Sequence, residues 1–382
     1  MYHFVERLRT LYELLQDEQS KEIFQARFAL DMEYSIPNIK RLASAGGFKD
    51  QANVVWDHPL KETLKKLNRD HKKIILYGTA FTGRLFAEAL QMEHIGFYGF
   101  CGQSAQKFPN GLMGKPVLTP DELAAHGDEY YVVLTVTSEK ACTEILQFLR
   151  KSNYPENHIL PDRVDMQYVS FTVFGWEYNF KDAYFDFPEL YHRGTAFIDG
   201  GCLDCKTSRR FAEWCGGEYS SIIAFEPDPG SYSICCEKMR EVPLPNFQLV
   251  NAGLSSQEGT AAFDAQGSAS SRIMTDRVTP GEPGFVGDEI LVRTVAIDDI
   301  VGDRTVGFIK MDIEGAELDA LHGAKNTILR DKPLLAICVY HLQGDLFAIM
   351  DYLHQLLPEY RFLLRQYTSW LFDTVLYASV DL

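Results

Sequence analysis

The sequence predicts an α/β fold: a doubly wound, mostly parallel sheet closing in an antiparallel C-terminal hairpin, preceded by a smaller Rossmann-like α/β unit and a helical N-terminus. Three observations carry this. Short apolar runs alternate with helical patterns from Lys73 onward. Two of those runs end in glycine turns, at Gly78 and at Gly200 and Gly201. The last two strand-like stretches, Arg361 to Gln366 and Thr374 to Ala378, have no helical pattern between them and read as a hairpin.

Residues 1–66 are polar and helical. Phe4, Leu8, Leu11 and Leu15 recur at helical spacing, and Ala45-Gly46-Gly47 breaks the pattern into a loop. The apolar face has two uses: packing on the rest of the chain, or contact between copies in a homodimer. Residues 67–165 form the smaller unit. Lys73 to Tyr77 is a strand, then Gly78-Thr79-Ala80-Phe81-Thr82-Gly83 opens a helix running through Leu90. Phe97 to Phe100 and Tyr131 to Val136 are further strands, and a helix spans Glu139 to Lys151. The glycines of the Gly78 turn either allow close helix–strand packing or build a nucleotide pocket. The strand at Phe100 ends in Cys101-Gly102, with no acid where an NAD ribose partner is expected.

Residues 166–382 form the third region. It opens with crowded aromatics, among them Tyr168, Phe171, Phe174, Trp176, Tyr178, Phe180, Tyr184, Phe185, Phe187 and Tyr191. Most are expected in an inter-domain core, with a minority left to cap a cofactor or stack on a sugar ring. Next come the strand Ala196 to Ile198, a glycine turn, a helix, and the strand Ile222 to Phe225 ending in Glu226. Phe247 to Val250 is a strand ending at Asn251. Thr260 to Phe263 and Leu291 to Val295 are antiparallel strands around a Gly/Ser-rich loop. Val306 to Met311 is a buried strand, a helix covers Gly315 to Leu329, Leu334 to Tyr340 is a strand, and Leu346 to Leu357 is a helix.

Bulk properties bound the function. At roughly 150 residues per domain, 382 residues suggest two or three domains. Hydrophobic content of 46% and charged content of 24% are ordinary for a folded globular chain. A net charge of −16 and a pI near 5.1 argue against a nucleic-acid partner, which needs a basic face. No run approaches the ~18 apolar residues of a membrane span. The N-terminus carries charges inside its apolar pattern and does not read as a signal peptide, so a cytoplasmic location is expected. Eight cysteines outline no disulfide framework and are expected as reduced thiols.

The turn after Ile198 reads D-G-G-C-L-D-C-K-T-S, from Asp199 to Ser208. Strand, glycine turn, helix, strand and acid together form a nucleoside-binding edge, with Glu226 placed to accept ribose hydroxyls. Asp199 and Asp204 flank the turn. Two carboxylates suit a cation better than a pyrophosphate, so S-adenosylmethionine (SAM), with its sulfonium and ammonium, is favoured over NAD. The cofactor-binding set is Asp199, Gly200, Gly201, Cys202, Asp204, Thr207, Glu226, Asp228, Asn251 (toward adenine) and Asp312.

The stretch from Phe308 to Ala324, FIKMDIEGAELDALHGA, resembles the signature of the FkbM family of methyltransferases. F-I-D-G-G, F-E-P-D, the N-A-G-L-S segment at Asn251, V-A-I-D-D at Val295 and the Tyr377-Ala378 ending extend the resemblance over residues 180–380. It implies a class I methyltransferase-type sheet and SAM-dependent O-methylation, often of a sugar or natural-product hydroxyl. The partner is then a small-molecule or glycan acceptor. Cys202 and Cys205 stand where similar sequences carry Ala and Gly. Cys205 is expected to crowd the methionine part of SAM. The C-x-x-C pair takes a redox or zinc role only if Cys215 or the vicinal Cys235-Cys236 joins it.

An acceptor hydroxyl needs a base within hydrogen-bond reach. Asp312, at the carboxyl end of its strand, is the first candidate, with ligand positioning as the alternative. His341 at the end of the following strand is the second, with a surface histidine as its alternative. Lys310 can pair with Asp312, and Glu314 and Glu317 start a helix. Asp312, Glu314 and His341 can together hold a divalent ion, but their spacing does not require one and no metal is assigned. Ser268 to Arg272 is a candidate acceptor-binding segment. The competing functions are an NAD(P)-dependent oxidoreductase at the Gly78 turn and a noncatalytic SAM- or nucleotide-binding protein.

Overall fold

A computed structural model describes residues 2–48, 56–173, 175, 177–179, 183–265, 272–273 and 288–382. Its first sheet has five parallel strands, β1 Lys73–Tyr77, β2 Gly99–Cys101, β3 Val117–Leu118, β4 Tyr130–Leu134 and β5 Ile159–Arg163. Their order is β3-β2-β1-β4-β5. The helices Phe81–Met92 and Glu139–Lys151 fall where periodicity put them. β3 and β5 were not anticipated: Val117–Leu118 is only two residues long, and Ile159–Arg163 contains a proline, so neither shows a strand period.

The glycines of the Gly78 turn serve packing. A Cβ on Gly78 (φ +148°) would lie 2.2 Å from the Thr135 carbonyl oxygen, and one on Gly83 would lie 2.1 Å from the Gly78 carbonyl oxygen. Both are therefore required for the helix to approach the sheet.

The second sheet positions the site. Its strands are β6 Ala196–Gly200, β7 Ser221–Phe225, β8 Phe247–Val250, β13 Val306–Met311, β14 Leu334–Cys338, β15 Arg361–Gln366 and β16 Thr374–Ser379. They run in the order β15-β16-β14-β13-β6-β7-β8, with β16 antiparallel to both its neighbours. Strand order reverses between β6 and β13, which are parallel, so their carboxyl ends open the crevice where doubly wound sheets bind ligands. A small sheet of β9 Gly253–Leu254, β10 Gly259–Ala265, β11 Arg272–Ile273 and β12 Asp288–Val295 hangs beside that edge. The proposed acceptor segment at Ser268 lies outside the described residues, apart from the backbone of Arg272.

The sheet is buried on both faces. On one, Phe197 stacks on Phe211 with ring centroids 4.0 Å apart, and Phe308, Phe185 and Tyr191 complete the cluster. Such ring pairs add about 1 kcal/mol each beyond their burial. The aromatics expected between domains thus sort otherwise: Tyr184, Phe185 and Tyr191 belong to this core, while Tyr168 packs with His58 and Phe86 in the N-terminal unit. Phe174, Trp176 and Phe180 lie outside the described residues.

The N-terminal helices Tyr2–Glu13, Glu18–Met32 and Ile36–Ala45 pack chiefly on the edge of the second sheet, at β15 and the helix Asp345–Leu356. Leu11 and Leu15 are buried there, so this apolar face is used within the chain. The helix Pro59–Arg69 spans the expected boundary at residue 66 and packs on β1. One expected helix is two: Glu317–His322 and Lys325–Asp331 are separated at Gly323. There the Ser255 carbonyl oxygen would lie 2.1 Å from a Cβ, and the Asp298 carboxylate accepts from Asn326 N and Thr327 N to start the second helix.

Candidate active site

The glycine turn is strapped from two sides. Gly201 (φ +73°) must be glycine, because a Cβ would lie 2.0 Å from the Asp312 carbonyl oxygen. Leu203 (φ +50°) and Cys205 (φ +60°) share its left-handed backbone. Glu226, at the end of β7, accepts from Leu203 N at 2.9 Å and from Asp228 N at 2.9 Å. It is buried, and burial pushes its carboxyl up to about 7. Its carboxylate nevertheless lines the cavity, where the ribose partner was expected.

Three other expected ligands are used differently. Asp199 is fully buried and does not reach the cavity. Its Oδ2 accepts from Ser208 Oγ at 2.7 Å and its Oδ1 faces Lys310 Nζ at 3.2 Å. Asp199 and Lys310 are register partners on β6 and β13, which puts both side chains on one side of the sheet. Lys310 also donates to the carbonyl oxygens of Gly200 (2.9 Å) and Gly201 (2.8 Å). Burial works against its charge, but Asp199 and then Asp312 hold its pKa above the ordinary lysine value. Asp228 caps the helix Pro229–Glu241, accepting from Gly230 N and Ser231 N. Asn251 donates from Nδ2 to the Glu226 carbonyl oxygen at 2.9 Å.

Asp204 and Thr207 do line the cavity. Asp204 is paired with Lys206 at 2.8 Å and Lys238 at 2.7 Å. Both turn carboxylates therefore carry their own cations, and the charge argument for a cationic ligand loses its force. Cys205 is corrected as well. Its Sγ points away from the cavity, 3.9 Å from Cys202 Sγ, and does not crowd a ligand.

The far end of the cavity gathers acids and tyrosines. Asp312 Oδ2 accepts from Tyr184 Oη at 2.7 Å, and Oδ1 accepts from Tyr340 Oη at 3.2 Å. His341 is a buried ring at the centre, not a surface histidine. Its Nε2 lies 3.4 Å from Asp312 and 3.5 Å from Glu314, and its Nδ1 lies 2.9 Å from Glu317. Burial opposes its charge, but Glu314 and Glu317 hold its pKa well above the ordinary histidine value. Burial likewise works against an ionised Asp312, yet His341 and Lys310 hold that carboxyl below the usual range. The surroundings thus favour the ionised form of Asp312 and the charged form of His341. Glu314 lies before the helix in a left-handed turn (φ +57°), while buried Glu317 accepts from Ile313 N and Gly315 N. Donor atoms of Asp312, Glu314 and His341 fall within 4.8 Å of one another, a spacing a divalent cation can bridge.

Sequence reasoning missed Asp373. It sits in the turn into β16 with φ +60°, lines the cavity, and is raised to about 7 by burial and then by Asp312. The cavity joining both ends has a volume of about 670 Å³, within the range of small-molecule sites. Tyr178, Tyr340 and Tyr367 form its aromatic wall. No described helix is long and apolar enough to cross a membrane.

Sheet order, the strapped turn at the switch point and the acid after the second strand define a class I, SAM-dependent methyltransferase. Residues 198–364 match the family model described as the methyltransferase FkbM domain. The 2-O-methyltransferase NoeI of Sinorhizobium fredii (strain NBRC 101917 / NGR234) is 28% identical over 173 residues, covering 41% of this chain and 70% of that protein. The crystal structure of methyltransferase FkbM from Methylobacillus flagellatus KT aligns with a TM-score of 0.45 at 19% identity, covering 88% of this chain and 96% of that one. SMU.1697c from Streptococcus mutans, a methyltransferase solved with S-adenosylhomocysteine (SAH), aligns with a TM-score of 0.32 at 12% identity, covering 50% of this chain and 94% of that one.

Proposed function

We propose that this enzyme methylates a hydroxyl group of a sugar or glycoconjugate. The observation that carries the reading is the chemistry of the cavity's far end, where tyrosines and the carboxylates of Asp312, Glu314 and Asp373 face one space. Tyrosine rings pack on the apolar face of a sugar, and carboxylates accept hydrogen bonds from its hydroxyls. The name of the NoeI relative, a 2-O-methyltransferase, agrees with an oxygen acceptor.

The near end fits SAM. The Gly201 turn leaves no side chain in the way, and the Glu226 carboxylate keeps lone pairs free beside its two amide bonds. Bound SAM supplies an electrophilic methyl group on a sulfonium. The chain's own residues align the acceptor, exclude water and take its proton. Asp373 is placed for that last role. It lines the same space as Asp312, and burial and then Asp312 raise its carboxyl to about 7 against the pull of His341, so its proton affinity suits neutral pH. The noncatalytic reading rested on Cys205 blocking the site, and its thiol points elsewhere. The eight free cysteines suit a reducing compartment, and on that ground we place the enzyme in the cytoplasm.

The test is methyl transfer from labelled SAM to a panel of sugars, phenols, amines and carboxylates, after calorimetry has established SAH binding. Transfer to a sugar hydroxyl that is lost on blocking that hydroxyl supports the proposal. Transfer to amines or carboxylates alone sinks it.

A further inference from the structure

We propose that Cys202, Cys205 and Cys235 form a three-thiolate site for a thiophilic d10 metal ion of the Zn²⁺ or Cu⁺ class. The first two lie on the cofactor turn, and the third on the helix Pro229–Glu241 that follows β7. Cys202 Sγ is 3.8 Å from Cys235 Sγ and 3.9 Å from Cys205 Sγ, and all three sulfurs fall within 4.8 Å of one another. Metal–sulfur bonds of about 2.3 Å put two thiolates of a tetrahedral site about 3.8 Å apart, so the observed spacing matches a ligand set.

The backbone gives a second, independent reason. Cys205 holds a left-handed conformation (φ +60°, ψ 15°) at the start of its helix. Glycine adopts that region without strain, whereas a cysteine there is strained. The conformation aims Sγ at the other two sulfurs rather than at solvent or the cavity. All three residues are buried, in a pocket otherwise lined by Ala224, Met239, Phe247 and Leu249. The remaining cysteines stand apart: vicinal Cys236 is not in the cluster, and Cys215 packs against Phe211 and its neighbours.

Ligation releases the thiol protons to solvent, including the one Cys235 Sγ donates to the Leu203 carbonyl oxygen at 3.2 Å. Among the described residues no fourth His, Cys, Asp or Glu joins the set. Cu⁺ is satisfied by three sulfurs in a plane, while Zn²⁺ takes a fourth ligand. A bound ion would tie the turn 201–205 to the helix behind it, and that turn carries the Leu203 amide held by Glu226.

The experiment uses the full chain, reduced and stripped of metal. It is titrated with Zn²⁺ against a chromogenic chelator in one arm and with Cu⁺ against a Cu⁺-specific chelator in the other. One equivalent bound in either arm is expected. Cys235→Ala and Cys205→Gly should each weaken it by about 100-fold or more, while Cys236→Ala should not. Cys205→Gly removes a ligand while easing the backbone, so it remains informative if Cys235→Ala misfolds. Thermal unfolding confirms that each variant is folded. Binding below a tenth of an equivalent in both arms, or binding unchanged in Cys205→Gly, would falsify the site and leave three packing thiols.

Discussion

Arg27 and Tyr340, 313 positions apart, are joined by a hydrogen bond from the Arg27 guanidinium Nη2 to the Tyr340 carbonyl oxygen at 3.3 Å. The same guanidinium donates from Nη1 to the Leu371 carbonyl oxygen at 2.8 Å and from Nε to Asp31 Oδ1 at 3.1 Å. Asp31 Oδ2 in turn accepts from Gly344 N at 3.0 Å. One N-terminal helix thus clamps the two loops that present His341 and Asp373.

Arg27→Met is expected to cost about 3–5 kcal/mol, because it strands the buried Asp31 carboxylate and two carbonyls. Turnover should fall by more than SAH affinity, since the clamp holds the acceptor end of the cavity. Chemical denaturation and calorimetry on the same preparation separate the two effects. Arg27→Lys keeps the charge but not the fork, and should fall between. A variant with full stability and full turnover would show that the clamp is incidental.

Glu226 makes cofactor affinity depend on pH. Its carboxyl is raised to about 7 in the folded protein from an ordinary value of 4.5, so ionising it costs stability. The apo protein should therefore lose stability, on the order of 3 kcal/mol from this group, as pH rises from 4.5 through 7. Ribose hydroxyls bind the ionised form better, so SAH affinity should increase from pH 6 to pH 8, by at most about tenfold per unit. Glu226→Gln should flatten both profiles. An equally steep binding profile in that variant would remove Glu226 from the ribose site.

The strands of the second sheet were legible because apolar runs and glycine turns mark buried parallel strands. β6, β7, β13 and the closing hairpin all fall where their residues predict. That Glu226 and Gly201 lie at the carboxyl edge of the sheet, where both line the cavity, was legible for the same reason, since each ends or follows a strand. The surroundings of Asp199 were not legible, because sequence shows that a residue ends a strand but not which side its chain takes. Its pairing with Lys310 depends on the register of two strands far apart in sequence. Cys205 was misread because a left-handed backbone turns Cβ away from the face a regular helix start would present. Asp373 was missed because an isolated acid in a loop carries no pattern. The signal available was topological: an antiparallel last strand begins at the carboxyl edge of its parallel neighbours.

Asp373→Asn should lower turnover by about 10²- to 10⁴-fold, the usual range for loss of a general base, and leave SAH affinity within twofold. Asp312→Asn differs. It replaces one of the two oxygens that accept from Tyr184 and Tyr340 with an amide donor and removes one carboxylate beside His341, so it should shift stability and acceptor KM as well as kcat. Steady-state kinetics for both variants distinguish the roles. Undiminished kcat in Asp373→Asn would return the base to another group.

Lys310→Met tests how the turn is held. The change leaves Asp199 as an uncompensated charge with no exposure to water, and strips a donor from the carbonyls of Gly200 and Gly201. The expected loss is about 3–5 kcal/mol of stability. The double variant Asp199→Leu/Lys310→Met removes both charges, and should recover much of that loss because the two residues touch and their effects do not add. Cofactor affinity decides what Asp199 does. If it acts only through Lys310 and the turn, SAH binding in the double variant should recover along with stability. If Asp199 itself meets the ligand, stability will return and binding will not. Urea denaturation and SAH calorimetry across the two single variants and the double one give the coupling in both quantities at once.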